Sequence, residues 1–364
     1  MKAIRRVLPN FASDTAGACS ALFEMGGLTV IHDAAGCMES YSAYDEPRMF
    51  GSDSMIFSSS LKNTEAVTGD ESKLIKKVSN AAIKTVPPFI ALVGSPVPYT
   101  IGTDLEGIAA EIESETAIPT FAVGAGGFRG YDYGASEAML KYFKKIGLKK
   151  KPEGFTVNLL GATPLDISEN ELKEIKNALE TAGAENVLIP FMGDMLYESD
   201  ANIVISAAGL AIAKHIKNRF GIPYITGMPI GQKLTDILMT QVNGEKTQAC
   251  TFSGGDVLVI GEAIYAVSMA KAIQLETGLK VSCGITGMTD KEITNGVSST
   301  LLTNEESVKE ELEKGYRLII ADPLYRLISK NIPFIERRHQ ALSSHLFNEP
   351  DGFEVILKKV KEVL

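Results

Sequence analysis

The strongest constraint on the fold is a repeated alternation between short apolar segments and amphipathic segments of helical period. The apolar segments are continuous and not alternating, which is typical of parallel strands covered on both faces. We predict strands at Leu28–Ile31, Met55–Ser58, Phe89–Val93, Thr120–Val123, Thr156–Leu160, Val187–Ile189, Ile203–Ile205, Tyr224–Thr226, Val257–Ile260, Lys280–Cys283 and Leu318–Ala321. The predicted helices are Ser72–Lys84, Asp104–Glu115, Ser136–Lys145, Glu169–Thr181, Leu210–Phe220, Gln232–Gln241, Ala263–Thr277, Asn304–Lys314 and Phe353–Val363. This order predicts an α/β protein of Rossmann-like layers, with parallel sheets flanked by helices.

Two polar stretches divide this alternation into three units. The sequences KKIGLKKKPEG at 144–154 and VNGEKTQAC at 242–250 each lie between a helix and a new strand. We therefore predict three Rossmann-like domains, over residues 1–150, 151–250 and 251–364. A chain of 364 residues is long enough for three such units, because most domains contain about 50–250 residues.

Charge and composition exclude several classes of partner. The formal net charge is −9 and the sequence pI is about 5.2, which argues against nucleic acid and against anionic membrane surfaces. Pro9, Asn10 and Asp14 interrupt the first residues before any long apolar run, so no signal peptide is predicted. No segment is apolar enough to span a membrane, and we expect a cytoplasmic protein with reduced thiols.

Two of the four cysteines, Cys19 and Cys37, lie on either side of the first predicted strand. Small residues around Cys19 predict a turn, and Cys37 follows a second turn that ends in Gly36. Thiolates on such turns are typical iron–sulfur ligands, but a [4Fe–4S] cluster needs four ligands, which a symmetric dimer with this segment on its two-fold axis would supply. The alternative is that both thiols are small buried hydrophobic groups. The other two cysteines, Cys250 and Cys283, are predicted to be buried without a ligand role.

Four further residues are candidates for contact with such a cluster. His32 would donate a hydrogen bond near the sulfurs, and Gly17 and Gly36 would let backbone N–H groups approach them. Arg129 would face the cluster or an anionic substrate. The alternatives are a histidine that caps local backbone, glycines that serve tight turns, and an arginine that ties the fold together.

The remaining motifs concern nucleotides and a substrate cleft. The glycines of VGAGGFRG are not spaced as in the G-x-G-x-x-G fingerprint of dinucleotide-binding folds. No G-x-x-x-x-G-K-[ST] sequence occurs, so the chain is not predicted to hydrolyse ATP through a P-loop. Late in the chain, Arg338, His339 and His345 form a cationic segment that would either line a cleft between domains or form a solvated loop.

Several motifs, taken in chain order, resemble the nitrogenase component 1 superfamily. The sequence from His32 to Cys37, HDAAGC, is similar to the family's His-Gly-Pro-x-Gly-Cys turn. IGTDL at 101–105 and GFRG at 127–130 resemble two later turns of the family. Longer similar segments are SSSLKNTEAVTGDESKL at 58–74, KHIKNRFGIPYITGMPIGQKLTDIL at 214–238 and IIADPLYRLISKNIPFIE at 319–336. The resemblance therefore runs over nearly the whole chain.

The resemblance implies a reductase component that forms a homodimer, or a heterodimer with a paralogue, and holds one [4Fe–4S] cluster shared between two subunits. It also implies an ATP-dependent iron protein as electron donor and a small-molecule or tetrapyrrole-type substrate. The chain departs from the family because no cysteine stands near Pro96 or Ile205, and His339 is one position from the family's histidine. A nitrogenase-type metallocofactor and dinitrogen reduction are therefore not predicted. The alternative functions are a scaffold or carrier for metallocofactor assembly and a metal-free small-ligand-binding module.

Overall fold

Three parallel sheets follow one another along the chain. The computed structural model describes residues 6–37, 41, 45–49, 54–245, 252, 254–329, 331–344 and 351–364. The first sheet has the order β2-β1-β3-β4, with β1 (Leu28–Ile31), β2 (Ile56–Ser58), β3 (Ile90–Val93) and β4 (Thr120–Val123). The second has the order β6-β5-β7-β8, with β5 (Thr156–Leu160), β6 (Asn186–Leu188), β7 (Ala201–Val204) and β8 (Tyr224–Thr226). The third has the order β11-β10-β9-β12-β13, with β9 (Val257–Gly261), β10 (Val281–Ile285), β11 (Ser299–Leu301), β12 (Leu318–Ala321) and β13 (Phe334–Glu336).

Helices connect and cover these strands. The described helices are α1 (Asp14–Leu22), α2 (Asn63–Thr68), α3 (Ser72–Thr85), α4 (Pro96–Ile101), α5 (Leu105–Thr116), α6 (Tyr131–Ile146), α7 (Glu169–Thr181), α8 (Leu210–Phe220), α9 (Gly231–Val242), α10 (Ala263–Thr277), α11 (Lys291–Thr294), α12 (Glu305–Leu312), α13 (Gln340–Ser343) and α14 (Phe353–Val363). Short 3₁₀ helices lie at Ala35–Cys37, Ala207–Gly209 and Pro323–Leu327. The predicted α/β class with parallel sheets flanked by helices is confirmed. Each sheet falls inside one predicted domain, but the domain boundaries themselves stay a prediction.

Burial explains why the central strands have continuous apolar sequences. Every residue of β1, β3, β4, β5, β7, β9, β10 and β12 is buried, because helices cover both faces of each sheet. The edge strands β11 and β13 contain exposed residues, have only three residues each and were not predicted. Among the described helices, none combines the length and the hydrophobicity that a membrane span requires.

Helices α1 and α6 touch through their backbones. A Cβ added at Gly17 would lie 1.8 Å from the carbonyl oxygen of Tyr131, and a Cβ added at Gly134 would lie 1.7 Å from that of Asp14. The predicted role of Gly17, to let backbone N–H groups approach cluster sulfurs, stays a prediction, and the structure places Gly17 directly against the α6 backbone. The prediction that Cys19 sits on a turn is wrong, because Cys19 lies inside α1. Small residues there serve a close helix contact.

Candidate functional site

The loop after β1 is fixed at its start by the loop after β2. The carbonyl oxygen of Asp33 accepts hydrogen bonds from Leu61 N (2.9 Å), Ser58 Oγ (3.1 Å) and Ser59 Oγ (3.2 Å). The Asp33 N–H donates to Ser59 Oγ at 3.2 Å. These bonds hold the beginning of the loop at the carboxyl edge of the first sheet.

Beyond Asp33 the loop runs outward to Cys37. Ala34, Ala35 and Gly36 are exposed, and the 3₁₀ helix Ala35–Cys37 ends at the cysteine. A Cβ added at Gly36 would meet no heavy atom within 4 Å, so no contact with the described part of the chain requires glycine there. A cysteine that follows three small, exposed residues suits a cluster shared with a second subunit, because bulky neighbours would keep other ligands away.

Cys19 lies in a different environment. Its side chain is 0% exposed within α1. Burial, and secondarily the Glu46 carboxylate, raises the pKa of the Cys19 thiol far above its ordinary value. The thiol of Cys19 is therefore not accessible at the surface, whereas the small residues before Cys37 are exposed. The predicted ligand role of Cys19 stays a prediction, and it requires the buried thiol to become accessible.

The other two cysteines of the chain are Cys250 and Cys283. Cys283 is fully buried in β10, as predicted, and burial raises the pKa of its thiol to about 12. Cys250 and His345 lie outside the described residues. Over the part of the chain that the structure describes, no group of three or more His, Cys, Asp or Glu side chains is arranged to hold a metal ion.

The ring of His32 is enclosed between two polar side chains. His32 is 1% exposed, its Nδ1 lies 2.9 Å from Ser59 Oγ, and its Nε2 lies 3.4 Å from Glu71 Oε2. Its carbonyl oxygen accepts a hydrogen bond from Ser95 Oγ at 2.8 Å, which ties the end of β1 to the loop after β3. Burial lowers the pKa of His32, and the Glu71 carboxylate opposes that shift. The side chain thus contacts the β2 loop and the residue before α3.

Arg129 lies on the loop after β4, at the same carboxyl edge. Its side chain is exposed, and its guanidinium lies 5.9 Å from the centroid of the Tyr133 ring. Its carbonyl oxygen accepts a hydrogen bond from Asp14 N at 3.1 Å. The backbone of Arg129 therefore ties the loop to α1, while its side chain remains available at the surface.

Exposed apolar side chains surround this edge. Val97, Tyr99, Ile101 and Phe128 are exposed by 40%, 63%, 44% and 70%, respectively, and we call these four residues the apolar edge. The rings of Tyr99 and Phe128 are in contact, with centroids 5.6 Å apart. Contiguous exposed apolar groups of this kind mark interaction surfaces in otherwise ordinary globular proteins. The Cys37 loop and the apolar edge therefore share one side of the first sheet.

The protein also has a cleft of about 600 Å³. Pro47 and Arg48 line it before β2, residues between 164 and 176 line it after β5, and Arg338 and Gln340 line it after β13. Elements from all three sheets therefore contribute, and the volume suits a small-molecule ligand, for which pockets usually measure about 300–1,000 Å³. The cationic segment was predicted either to line a cleft or to form a solvated loop. Arg338 of that segment lines this cleft.

Beside the cleft, three side chains from the three units meet. The Tyr131 hydroxyl donates to Asp166 Oδ1, and His339 Nε2 lies 2.9 Å from the Tyr131 oxygen and 3.2 Å from Asp166 Oδ1. Ser206 Oγ donates to Asp166 Oδ2 at 2.9 Å. We call Tyr131, Asp166, His339 and Ser206 the polar junction. All four are buried, and Asp166 also lines the cleft.

Further buried charges adjoin the polar junction. The Glu262 carboxylate caps α10 and accepts hydrogen bonds from Ala207 N (2.8 Å) and Tyr265 N (2.9 Å). Burial, followed by the negative charge of Asp166, raises the pKa of Glu262 to about 8. Arg337 is 2% exposed and pairs with Glu171 at 2.9 Å (Nε to Oε1). Each of these charged groups has a partner, so the three sheets meet around a hydrogen-bonded network.

Sequence reasoning missed most of the polar junction. It singled out His339 but neither Tyr131 nor Asp166. One available signal was the position of Asp166 a few residues after the buried strand β5, since ligands in α/β folds bind beyond the carboxyl ends of strands. Tyr131 offered no such signal, because it belongs to the first turn of α6.

Comparison with known proteins defines the class. The family model for nitrogenase component 1 type oxidoreductases matches residues 13–246, which is more than half of the chain. The chain belongs to this family, and the resemblance of its motifs is confirmed.

Individual relatives are distant. The nitrogenase iron-molybdenum cofactor biosynthesis protein NifE of Bradyrhizobium diazoefficiens is 27% identical over 185 residues, which cover 47% of this chain and 33% of that protein. A light-independent protochlorophyllide reductase polypeptide of Angiopteris evecta is 23% identical over 264 residues, which cover 59% of this chain and 52% of the relative. The chain thus spans about a third to a half of the length of these curated relatives.

A solved structure, nitrogenase Cp1 at pH 6.5, superposes on the whole chain. The match covers 100% of this chain and 94% of that chain, with a TM-score of 0.71 and 18% sequence identity. At this identity the match supports the fold alone.

Proposed function

We propose that the chain is a nitrogenase-like reductase component that carries a [4Fe–4S] cluster at a dimer interface. Electrons would come from a separate ATP-dependent iron protein, and the substrate would be a small molecule, of tetrapyrrole type or another class, bound in the cleft. Membership of an oxidoreductase family supports the reductase part. The observation that carries the cluster is the exposed small-residue loop that ends in Cys37, beside the apolar edge.

The proposed dimer would use the same surface. Tyr99 and Phe128 expose large apolar areas to water, and covering them with a second copy contributes about 25 cal/mol per Å² of buried apolar surface. A two-fold axis near this edge would bring two Cys37 loops together. The partner is then an identical chain or a paralogue with a similar edge.

The remaining cluster ligands distinguish these two partners. Two Cys37 thiolates are half of the four that a [4Fe–4S] cluster needs. In a homodimer the other two would come from Cys19, whose buried thiol would then have to become accessible. A paralogue would supply additional thiolates from its own chain, and Cys19 would remain buried.

The residues of the cleft would bind and orient the substrate. Such a cluster, when bound, supplies one electron at a time. Arg48 is held in place by Glu46, with 2.7 Å between Nε and Oε1, and also lies 3.4 Å from Glu24 Oε1, so its paired guanidinium would give this wall of the cleft a fixed shape. Asp166, which accepts a hydrogen bond from Tyr131 and lies 3.2 Å from His339 Nε2, would offer a fixed carboxyl group beside the cleft.

Iron analysis tests the proposal. Anaerobically purified or reconstituted protein is expected to be brown and to contain about four irons per dimer. Sedimentation of the same sample should show a dimer when the chain pairs with itself. A colourless protein without iron after reconstitution would contradict the cluster and favour the metal-free ligand-binding module.

A second candidate function is a scaffold or carrier for metallocofactor assembly. The observation in its favour is the match to NifE, whose name describes cofactor biosynthesis. A scaffold would pass its cluster to an apo-protein acceptor when the two are mixed. A reductase component would keep the cluster and oxidise it in the presence of substrate.

A further inference from the structure

We infer that the segment 6–13, which we call the strap, covers one side of the polar junction and is held there by Glu305, so that loss of the Glu305 carboxylate exposes His339 to solvent. The inference concerns the chain alone. It holds whichever cofactor, substrate or partner the protein has, so its failure and that of the proposed function are separate.

One carboxylate oxygen binds the first part of the strap. Oε2 of Glu305, in α12, accepts hydrogen bonds from three successive backbone N–H groups, those of Arg6 (2.8 Å), Val7 (2.9 Å) and Leu8 (3.2 Å). Lys309 Nζ donates to the other oxygen, Oε1, at 2.7 Å. The Lys309 bond, followed by those from the strap, lowers the pKa of Glu305 to about 2, so the carboxylate is ionised at neutral pH. Hydrogen bonds to an ionised acceptor are roughly twice as strong as those between neutral groups.

The Leu8 side chain anchors the same part of the strap in the core of the third unit. It is 5% exposed and packs in the apolar cluster that contains Leu258 and Ile260 of β9 and also Leu302. The first part of the strap therefore has one polar anchor and one apolar anchor, and both belong to the third unit.

The second part of the strap lies on the polar junction. The Phe11 ring contacts the His339 ring edge-on, with centroids 5.3 Å apart, and is stacked with the Tyr131 ring at 6.4 Å. Ala12 N donates to the Ala341 carbonyl oxygen at 2.7 Å, and the Ala12 carbonyl oxygen accepts from Tyr131 N at 3.0 Å. The strap therefore joins α13 of the third unit to the start of α6 in the first.

The Phe11 ring shields this side of His339 from water. His339 is 3% exposed, and the half-buried Phe11 ring lies against it. Water at the imidazole would compete for the hydrogen bonds of His339 with Tyr131 and Asp166, because such bonds are strongest in a dry environment of low dielectric constant. The cover that Phe11 provides thus preserves the hydrogen bonds of the junction.

A short exposed connection links the anchors to the cover. It consists of Pro9 and Asn10. A segment with few buried contacts opens locally at a lower free-energy cost than the core, and the bonds to Glu305 oppose this opening. Without the carboxylate, the first part of the strap leaves its site more often, and the short connection carries the Phe11 ring with it. His339 then becomes accessible while the three sheets stay folded.

The test compares amide hydrogen exchange and histidine labelling in the unaltered full chain and in its variants. Diethyl pyrocarbonate modifies accessible imidazoles, and mass spectrometry of the peptides identifies each modified histidine. In Glu305→Gln we expect faster exchange over residues 6–8 and at least about tenfold faster labelling of His339, because the neutral amide is a weaker acceptor. Phe11→Ala should speed the labelling of His339 without changing exchange over residues 6–8, because it removes the cover and not the anchors.

The chain offers a matched control and two internal references. Glu306 is the next residue of α12 and is exposed, so Glu306→Gln should behave as the unaltered protein. His215 is partly exposed and should be labelled in every sample. His32, which follows β1 and is 1% exposed, should stay protected in every sample.

Three results would overturn the inference. The first is unchanged labelling of His339 in Glu305→Gln, whether or not the strap exchanges faster. The second is continued protection of His339 in Phe11→Ala, because another element would then cover the imidazole. The third is an equal rise in the labelling of His32, because the variant would then loosen the whole fold and not the strap. None of these results bears on the iron content that tests the proposed function.

Discussion

The apolar edge and the polar junction reverse the usual distribution of side chains. At the apolar edge, Tyr99 and Phe128 expose large rings to water, whereas at the polar junction Asp166 and His339 are buried. Buried polar groups are stable only when they are hydrogen-bonded, and those of the junction find their partners within the chain. The exposed rings have no such cover. The junction is therefore complete in one chain, and the edge is the surface on which we propose that a partner docks.

The largest effect should follow from breaking the buried ion pair next to the junction. Arg337→Ala leaves Glu171 charged and buried, and we expect a loss of about 3–5 kcal/mol in the free energy of unfolding. Arg326→Ala is the control, because Arg326 pairs with Glu336 at the surface, where such pairs contribute at most about 1 kcal/mol. Denaturant unfolding of both variants measures the difference. Equal losses in the two variants would mean that the buried Arg337–Glu171 pair contributes no more to the free energy of unfolding than the surface pair does.

The contact between α1 and α6 should tolerate almost no added volume. Gly17→Ala places a Cβ against the Tyr131 carbonyl, and we expect a loss of about 3 kcal/mol or more in the free energy of unfolding. Gly36→Ala meets open space and should change that free energy by at most about 0.5 kcal/mol. The second variant also probes the cluster, because reduced iron content without a loss of stability would identify Gly36 as a residue that a cluster needs.

Glu262 makes the stability of the junction depend on pH. Below about pH 4.5 it is protonated in both the folded and the unfolded chain, and between that value and about 8 only the folded chain keeps the proton. Stability should therefore fall as pH rises through this window, by at most about 1.4 kcal/mol per pH unit. The glutamine of Glu262→Gln cannot titrate, so the free energy of unfolding of this variant should fall less steeply as the pH rises. Parallel curves of unfolding free energy against pH for the two proteins would rule out this role of Glu262.

The apolar edge should matter least for the single chain and most for its association. Tyr99→Ser and Phe128→Ser are expected to change the unfolding free energy of the monomer by at most about 0.5 kcal/mol, because both rings are exposed. The same changes should weaken dimerisation at least about tenfold, measured by sedimentation. Val355→Ser on α14 removes an exposed apolar group elsewhere and should leave association unchanged. Unaltered association in all three variants would place the dimer interface on another surface.

The two regions also differ in how far the sequence predicts them. The Cys37 loop follows a strand that is buried on both faces, so a local apolar run and a small-residue turn were enough to locate it. The polar junction joins Tyr131 to His339 across 208 residues, and no local spacing encodes that meeting. The turn predicted around Cys19 was wrong for a related reason. Its glycine and alanines serve the contact with α6, and even the loop before α6 contacts Asp14 across 112 residues of sequence.

The most direct test of the interface cluster is the iron and sulfide content of three cysteine variants after anaerobic reconstitution. Cys283→Ala removes a buried thiol in β10 and should keep the full cluster content, at a stability cost on the order of 1 kcal/mol. Cys37→Ala should lose the cluster. Iron loss in Cys19→Ala as well would assign the remaining ligands to Cys19 in a homodimer, whereas full retention would assign them to a partner chain. Full iron and sulfide content in Cys37→Ala would contradict the interface cluster.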